Sequence, residues 1–463
     1  MTIRIGNLVV GIVLARIIAP EAFGVFAIAL TVWSVLGSVA EFGLGADLVR
    51  RDDYEAHIPT VATIGAVVSG SLAALMFLAS SSIAAAFGNP AATTVVQLMA
   101  IPMFLIGLSV VPAALLQRQI RQGTLFAIDG SSLVISTVVT IVLALIGLGP
   151  AALAVGRIAG QVLAIILQYL AVHRWPVFGW SSAVARQAIA FGAPLAFANV
   201  VSWSIISFDN LIVARMMGAV ELGLYVLAFN IASWPMSVAG QSVRVIALPA
   251  FSRLTTNDHR GRAMVKASGL IWSVSGLAAL GLAFVAPQVV SVLYGERWIG
   301  AAAAIAPLAL FGAFRVVFDL AATYLIACGM TRSVLMVQLI WLAALVPAMI
   351  LGVQADGLAG AGWAHVLVAV VVVLPVYLFY LRRARVPVIS FLRGWIRPTV
   401  MAIPLAFGLW LISSLVVPPI LALVLAATAG ILLYALPMSK WWVTRAKSLG
   451  VRESLLEFGV EGP

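Results

Sequence analysis

The sequence predicts an all-α integral membrane protein of about fourteen transmembrane helices. Two parallel six-helix repeats would form two lobes, with two peripheral helices after them. Composition is the first ground: 63% of the 463 residues are hydrophobic, 9% are charged, and the mean hydropathy is +1.13. A water-soluble fold with that balance would lack the polar surface needed to cover its core. The second ground is that the apolar runs are continuous rather than alternating, which favours helices over the strands of a membrane barrel. The third is that basic residues gather on one side of the membrane that these runs imply.

A window of roughly 20 residues justifies each span in turn. Ile3 to Ala19 and Phe23 to Ala46 come first, then Ile58 to Ser80 and Thr93 to Leu116. Leu125 to Gly147 and Ala151 to Val172 complete a first lobe over residues 1–181, whose first helix is short. The second lobe, residues 182–387, holds Ala188 to Met217, Leu222 to Phe251, Ala267 to Leu293, Ala301 to Cys328, Val334 to Val353 and Leu358 to Leu381. Residues 388–463 carry the two peripheral helices, Pro398 to Val417 and Ile420 to Leu436, and a basic cytoplasmic tail. Prolines within spans, among them Pro102, Pro112 and Pro375, are expected to kink them.

With both termini in the cytoplasm, roughly twenty basic residues fall in inside connections or the tail, against Arg297 in an outside loop. The inside set includes Arg50, Arg118, Arg121, Arg174, Arg186, Arg260, Arg332, Arg382 and Lys440. This bias predicts a multi-pass protein of the inner (cytoplasmic) membrane with an even number of spans. The net charge of +11 is then dispersed over loops rather than gathered on one groove-binding face, which argues against a nucleic-acid partner. Cys328 is the single cysteine and the four histidines are scattered, so no disulfide, metal site or cofactor is expected.

The stretch "VLARIIAPEAFGVFAIAL", Val13 to Leu30, returns as "IVARMMGAVELGLYVLAF", Ile212 to Phe229. Arg16 is matched by Arg215 and Gly24 by Gly223. Six spans separate the copies, and an even separation keeps both in one orientation, so the repeats are parallel and related by an axis along the membrane normal. The stretch "RQAIAFGAPLAFANVVSW" opens the seventh span, and its equivalent in the first half would begin before Met1. The first helix therefore reads as short by a turn or more. A cleaved signal peptide, Arg4 followed by Ile5 to Leu14, is the competing reading, which Arg16 interrupts.

Five segments in order, "LARIIAPEAFGVFAIAL", "FDNLIVARMMGAVELGLYVLAFNIASWP", "LPAFSRL", "APQVVSVLYGERW" and "LIACGMTR", resemble the recurring pattern of Wzx-like polysaccharide transporters. Those are lipid-linked oligosaccharide flippases of the multidrug/oligosaccharidyl-lipid/polysaccharide exporter superfamily. The resemblance implies two six-helix lobes facing each other in a V, plus two peripheral helices. It also implies that an undecaprenyl-type lipid pyrophosphate carrying a glycan moves from the inner to the outer leaflet. The shortened first helix is the departure from the family.

Charges within spans are the candidate site, because a charge at bilayer depth costs about 2.5 to 3.5 kcal/mol on insertion scales and so faces a partner or water. Arg157 in "AVGRIAGQ" lies within the sixth span, and Arg315 in "GAFRVVFDLAATY" near the middle of the tenth. Arg16 and Arg215 close the first and seventh spans on the outside, where snorkelling and the helix dipole also account for them. Arg157, Arg315, Arg215 and Arg16 are candidates for a substrate-binding lining. An arginine fork takes phosphate oxygens in pairs and keeps its proton. Asp319, one turn after Arg315, together with Asp209 and Glu41, are coupling or charge-pair candidates. Salt bridges are the structural alternative for Arg157 and Arg315. The tryptophans within spans, Trp33 included, read as packing or interface residues.

Three function classes follow. A flippase working by alternating access for cell-surface polysaccharide biosynthesis needs two lobes and a cationic cavity, and is the reading preferred. An ion-coupled drug exporter of the same superfamily would need an acid-lined cavity to receive cations, against which the mid-span arginines argue. A membrane glycan polymerase or ligase would need a long outside loop, and "SSIAAAFGNPAA" is short and bland. With no G-x-x-x-x-G-K-[ST] loop, the energy source is expected to be an ion gradient or the membrane potential rather than ATP. No catalytic constellation is found, so no enzyme is expected. The partners implied are the lipid-linked glycan, membrane lipids and the glycosyltransferases or polymerase of the same pathway.

Overall fold

The computed structural model describes the backbone of residues 2–40, 44–50, 53–253, 257–415 and 418–447. Side chains are described over the same residues apart from 2–5, 7–8, 46–47, 50, 191, 193–202, 204–206, 237–253, 257–259 and 446–447. Among the described residues there is no strand. The helices are α1 (Thr2–Ile17), α2 (Pro20–Ala40), α3 (Leu44–Arg50), α4 (Tyr54–Leu78), α5 (Ser80–Ala86), α6 (Ala92–Arg118), α7 (Gln122–Leu145), α8 (Pro150–Val172) and α9 (Ser182–Met217). They continue as α10 (Ala219–Arg253), α11 (Asn257–Phe284), α12 (Ala286–Leu293), α13 (Ala302–Ala327), α14 (Thr331–Val368), α15 (Leu374–Arg383), α16 (Val388–Ser414), α17 (Pro419–Ala429) and α18 (Leu436–Lys447).

Among the described residues, 11 helical segments are long and apolar enough to cross a bilayer. One of them, Thr331–Arg383, breaks at Asp356 and Gly357, where φ is −150° and +51°, and so supplies two spans. Gly352 and Gly360 lie back to back across that break, and a Cβ on either would run into the other's carbonyl. Helix α1, at 16 residues, is shorter than that set, and α9 adds a helix of 36 residues. Each of the fourteen expected spans is thus represented by a helix.

Two prolines show how local chemistry shapes these spans. Pro375 and Pro437 each follow a stretch of π-helix, Ala369–Val373 and Gly430–Ala435. A proline ring collides with the carbonyl four residues before it, and a wider turn rehouses that carbonyl. At Pro375, where a kink is expected, the structure shows such a wide turn just before the ring.

The chain folds as two compact units, Met1–Val226 and Leu227–Pro463. In the first, close helix crossings are made by small residues, as suits packing where lipid offers no hydrophobic drive between helices. Helices α4 and α6 cross at Gly65 and Gly107, and α8 lays Gly156 and Gly160 against Ser136 and Thr140 of α7. In the second, α13 is covered nearly all round, with Phe311, Phe314, Val317 and Phe318 buried. Phe318 stacks on Tyr377 at 5.3 Å, and Trp341 meets Phe311 and Phe318 edge-on. The last helices dock on α11 through polar anchors: Tyr434 Oη donates to the Ser273 carbonyl at 3.0 Å and Trp442 Nε1 to Ser273 Oγ at 2.7 Å.

Candidate functional site

Arg157 lies in the interior of α8, one residue beyond the glycine that closes α8 on α7. A step of one residue turns about 100° around a helix. The side chain accordingly leaves the α7 contact and reaches α2, where its guanidinium sits 4.0 Å from the centroid of the Trp33 ring. The residue is half-buried. Among the described residues it has no carboxylate within ion-pair distance and no hydrogen-bond acceptor. Stacking satisfies the face of a guanidinium and leaves its in-plane N–H edge open to an anion.

The two copies of the repeated stretch meet each other. A Cβ on Gly24 of α2 would collide with the backbone carbonyl of Ala219, and one on Gly223 of α10 with the carbonyl of Pro20. Each glycine therefore rests on the residue four positions before the other, a reciprocal small-residue crossing. Arg16 and Arg215 occupy the last turns of α1 and α9, where a cation complements the helix dipole, and both are exposed. Arg215 lies across Gly88, in the connection between α5 and α6, whose φ of +73° already favours glycine.

Asp209 of α9 is buried at 3% exposure. It accepts hydrogen bonds from Tyr225 Oη at 3.1 Å and from the Asn210 backbone N–H at 2.8 Å. Asn210 Nδ2 in turn donates to Thr31 Oγ1 at 3.0 Å, which ties α9 to α2. In the second unit, Arg315 and Asp319 occupy successive turns of α13 and are both half-buried. His365 of α14 is buried, its ring centroid 4.7 Å from that of Phe311 on α13. Glu41 lies outside the described residues.

Arg157 and Trp33 are thus brought together, as are Asp209, Asn210, Tyr225 and Thr31. Arg16 and Arg215 stand at helix ends. Sequence reasoning read Trp33 as a packing or interface residue and gave no site role to Tyr225, Asn210 or His365, since each becomes distinctive only through a partner on another helix.

The family described as "Polysaccharide biosynthesis protein" matches residues 13–303. The lipopolysaccharide biosynthesis protein WzxC of Escherichia coli (strain K12) is 22% identical over 364 residues, covering 78% of this chain and 74% of the relative. The teichuronic acid biosynthesis protein TuaB of Bacillus subtilis (strain 168) is 26% identical over 306 residues, 63% of this chain and 61% of that one. Among solved structures, the lipid II flippase MurJ in an inward closed conformation aligns with a TM-score of 0.77 at 14% identity, over 95% of this chain and 97% of that one. An inward-facing multidrug resistance MATE family transporter of the MOP superfamily aligns with a TM-score of 0.64 at 15% identity, over 85% and 94%. At those identities the structural likeness establishes a shared fold.

Proposed function

Because the chain belongs to the polysaccharide biosynthesis protein family, we propose that it is a flippase for a polyprenyl-pyrophosphate-linked oligosaccharide, a transporter rather than an enzyme. It moves its substrate from the inner to the outer leaflet of the cytoplasmic membrane by alternating access, with both termini in the cytoplasm. The product feeds cell-surface polysaccharide biosynthesis, alongside the glycosyltransferases or polymerase of that pathway.

One observation carries this reading: an arginine in the interior of a spanning helix, stacked on a tryptophan and without an acidic partner among the described residues. A pyrophosphate of about two charges crosses hydrocarbon only where the protein supplies matching charge in a wet site. Trp33 fixes the plane of the Arg157 fork, and the fork receives phosphate oxygens in pairs. A cationic drug would be repelled at the same place, which disfavours the exporter reading. Arg315 supplies a second positive charge in the second unit, while Arg215 and Arg16 receive the anion at the outer rim. Asp319, Asp209 and Glu41 pair with these cations or take a coupling cation as the substrate leaves. An ion gradient or the membrane potential drives the cycle.

The lobes are residues 1–181 and 182–387, related as parallel repeats. On that division the Gly24 and Gly223 crossing holds the outer ends together and must part for outward release.

The test is glycan export in cells that rely on this chain, at matched protein level in the membrane. Arg157→Gln is expected to abolish export and Arg157→Lys to keep a fraction of it, since lysine retains the charge without the fork. Undiminished export in Arg157→Gln would reject the assignment.

A further inference from the structure

The connection between α8 and α9, residues 173–181, folds back onto the start of α4 and is pinned there. The Gly179 N–H donates to the Pro59 carbonyl at 3.2 Å, the Thr63 hydroxyl donates to the Gly179 carbonyl at 2.9 Å, and the Ser181 N–H donates to Thr60 Oγ1 at 3.1 Å. Beneath it lies a cleft of about 370 Å³ whose walls include Ile58, Ala62, Val111, Leu115 and Val172. At about 30 Å³ for a water-sized group, roughly a dozen methylenes fit. Arg174 and Glu55 stand at the mouth, Nη2 to Oε1 at 2.8 Å, with both side chains more than half exposed. Hydrogen bonding to Glu55 holds the Arg174 guanidinium above its ordinary value, so the mouth keeps one positive and one negative charge side by side.

The pinned connection also exposes Trp175 (85%), Val177 (54%), Phe178 (54%) and Trp180 (64%). Tryptophans with apolar neighbours at the end of a helix bundle mark the membrane interface. A cleft opening at that level fills from the bilayer, and its mouth selects the headgroup. A phosphate fits Arg174 and a primary ammonium fits Glu55. A quaternary ammonium has no N–H for Glu55, and a headgroup with net negative charge offers nothing that complements it.

We propose that this cleft binds one aminophospholipid, its phosphate on Arg174, its ammonium on Glu55 and one acyl chain beneath residues 173–181. The proposal does not rest on the transport reading. To test it, the full chain is placed in nanodiscs of one bilayer composition containing a trace of phosphatidylethanolamine, phosphatidylcholine or phosphatidylglycerol with a photoactivatable acyl chain. Cross-links to residues 58–62, 111–115 and 172–177 are mapped by mass spectrometry and normalised to residues 134–142 of α7, where Val134, Val138 and Val142 are exposed. Phosphatidylethanolamine is expected to label the cleft several-fold above the other two. Glu55→Gln should remove that preference, and Arg174→Gln should bring all three to background. Equal labelling by the three lipids in the unaltered chain overturns the proposal, as does a preference that survives both substitutions. Stronger labelling by a photoactivatable polyprenyl phosphate overturns it too, by making the cleft a substrate-tail site. The headgroup comparison in the unaltered chain decides even where a variant fails to fold.

Discussion

Replacing Gly24 with alanine places a methyl group on the backbone carbonyl of Ala219, at the crossing of α2 with α10. A carbonyl within a helix cannot rotate away as a side chain would, so the helices themselves must separate. Overpacking of this kind costs about 1–3 kcal/mol, at times more. Gly130 of α7 is the contrasting case, because nothing lies within 4 Å of its added Cβ. There the substitution only gains helix propensity, up to about 1 kcal/mol. Both glycines lie in helices and gain propensity alike, so the two variants should differ by the overpacking cost, roughly 1–3 kcal/mol. Thermal unfolding in mild detergent, followed by the elution of a fluorescent fusion, reads this as a midpoint several degrees lower for Gly24→Ala. Gly223→Ala, which meets the Pro20 carbonyl, should behave like Gly24→Ala. Equal midpoints for Gly24→Ala and Gly130→Ala would refute the crossing.

Trp33→Leu removes the ring under Arg157, a contact of about 0.5–2 kcal/mol. Glycan export should fall several-fold, whereas Trp33→Phe keeps most of it; equal export in all three would separate the tryptophan from the arginine's task. Tyr225→Phe removes a donor to the buried Asp209 carboxylate and should cost about 1–3 kcal/mol in an unfolding measurement. In a double-mutant cycle with Asp209→Asn the two losses should fall short of adding, and strict additivity would count against the bond. Reporter fusions after Gly149 or Gln354 are expected to report outside, and those after Arg260 or Arg383 inside; reversal at two of these positions would sink the topology.

The helices were legible because apolarity is a local property, and the gap between the eleventh and twelfth spans coincides with the break at Asp356 and Gly357. The wide turns before Pro375 and Pro437 were not legible, because a proline in an apolar run signals a disturbed helix without saying which kind of turn precedes it. Periodicity likewise does not reveal that α13 is enclosed on almost every side, so that even Val317, away from Arg315, is buried. Arg157 stood out by its depth alone. Trp33 did not, since its own neighbourhood is ordinary and its partner lies on a helix four spans along. The repeated stretch was visible as a repeat, but that its two glycines rest on each other is a property of the fold. Asp209 was singled out as a charge, and the hydrogen bonds from Tyr225 and the Asn210 N–H appeared only with the structure.

The central claim is tested most directly with the purified chain in vesicles whose inner leaflet is loaded with a polyprenyl-pyrophosphate-linked oligosaccharide. The measurement is the fraction of glycan reached by a membrane-impermeant lectin or glycosidase over time, under an imposed ion gradient and without ATP. The account predicts that glycan appears outside only in vesicles holding the unaltered chain, and at the protein-free rate with Arg157→Gln. An Arg157→Gln rate equal to that of the unaltered chain, or no rate above protein-free vesicles for a chain shown to be folded, would contradict it.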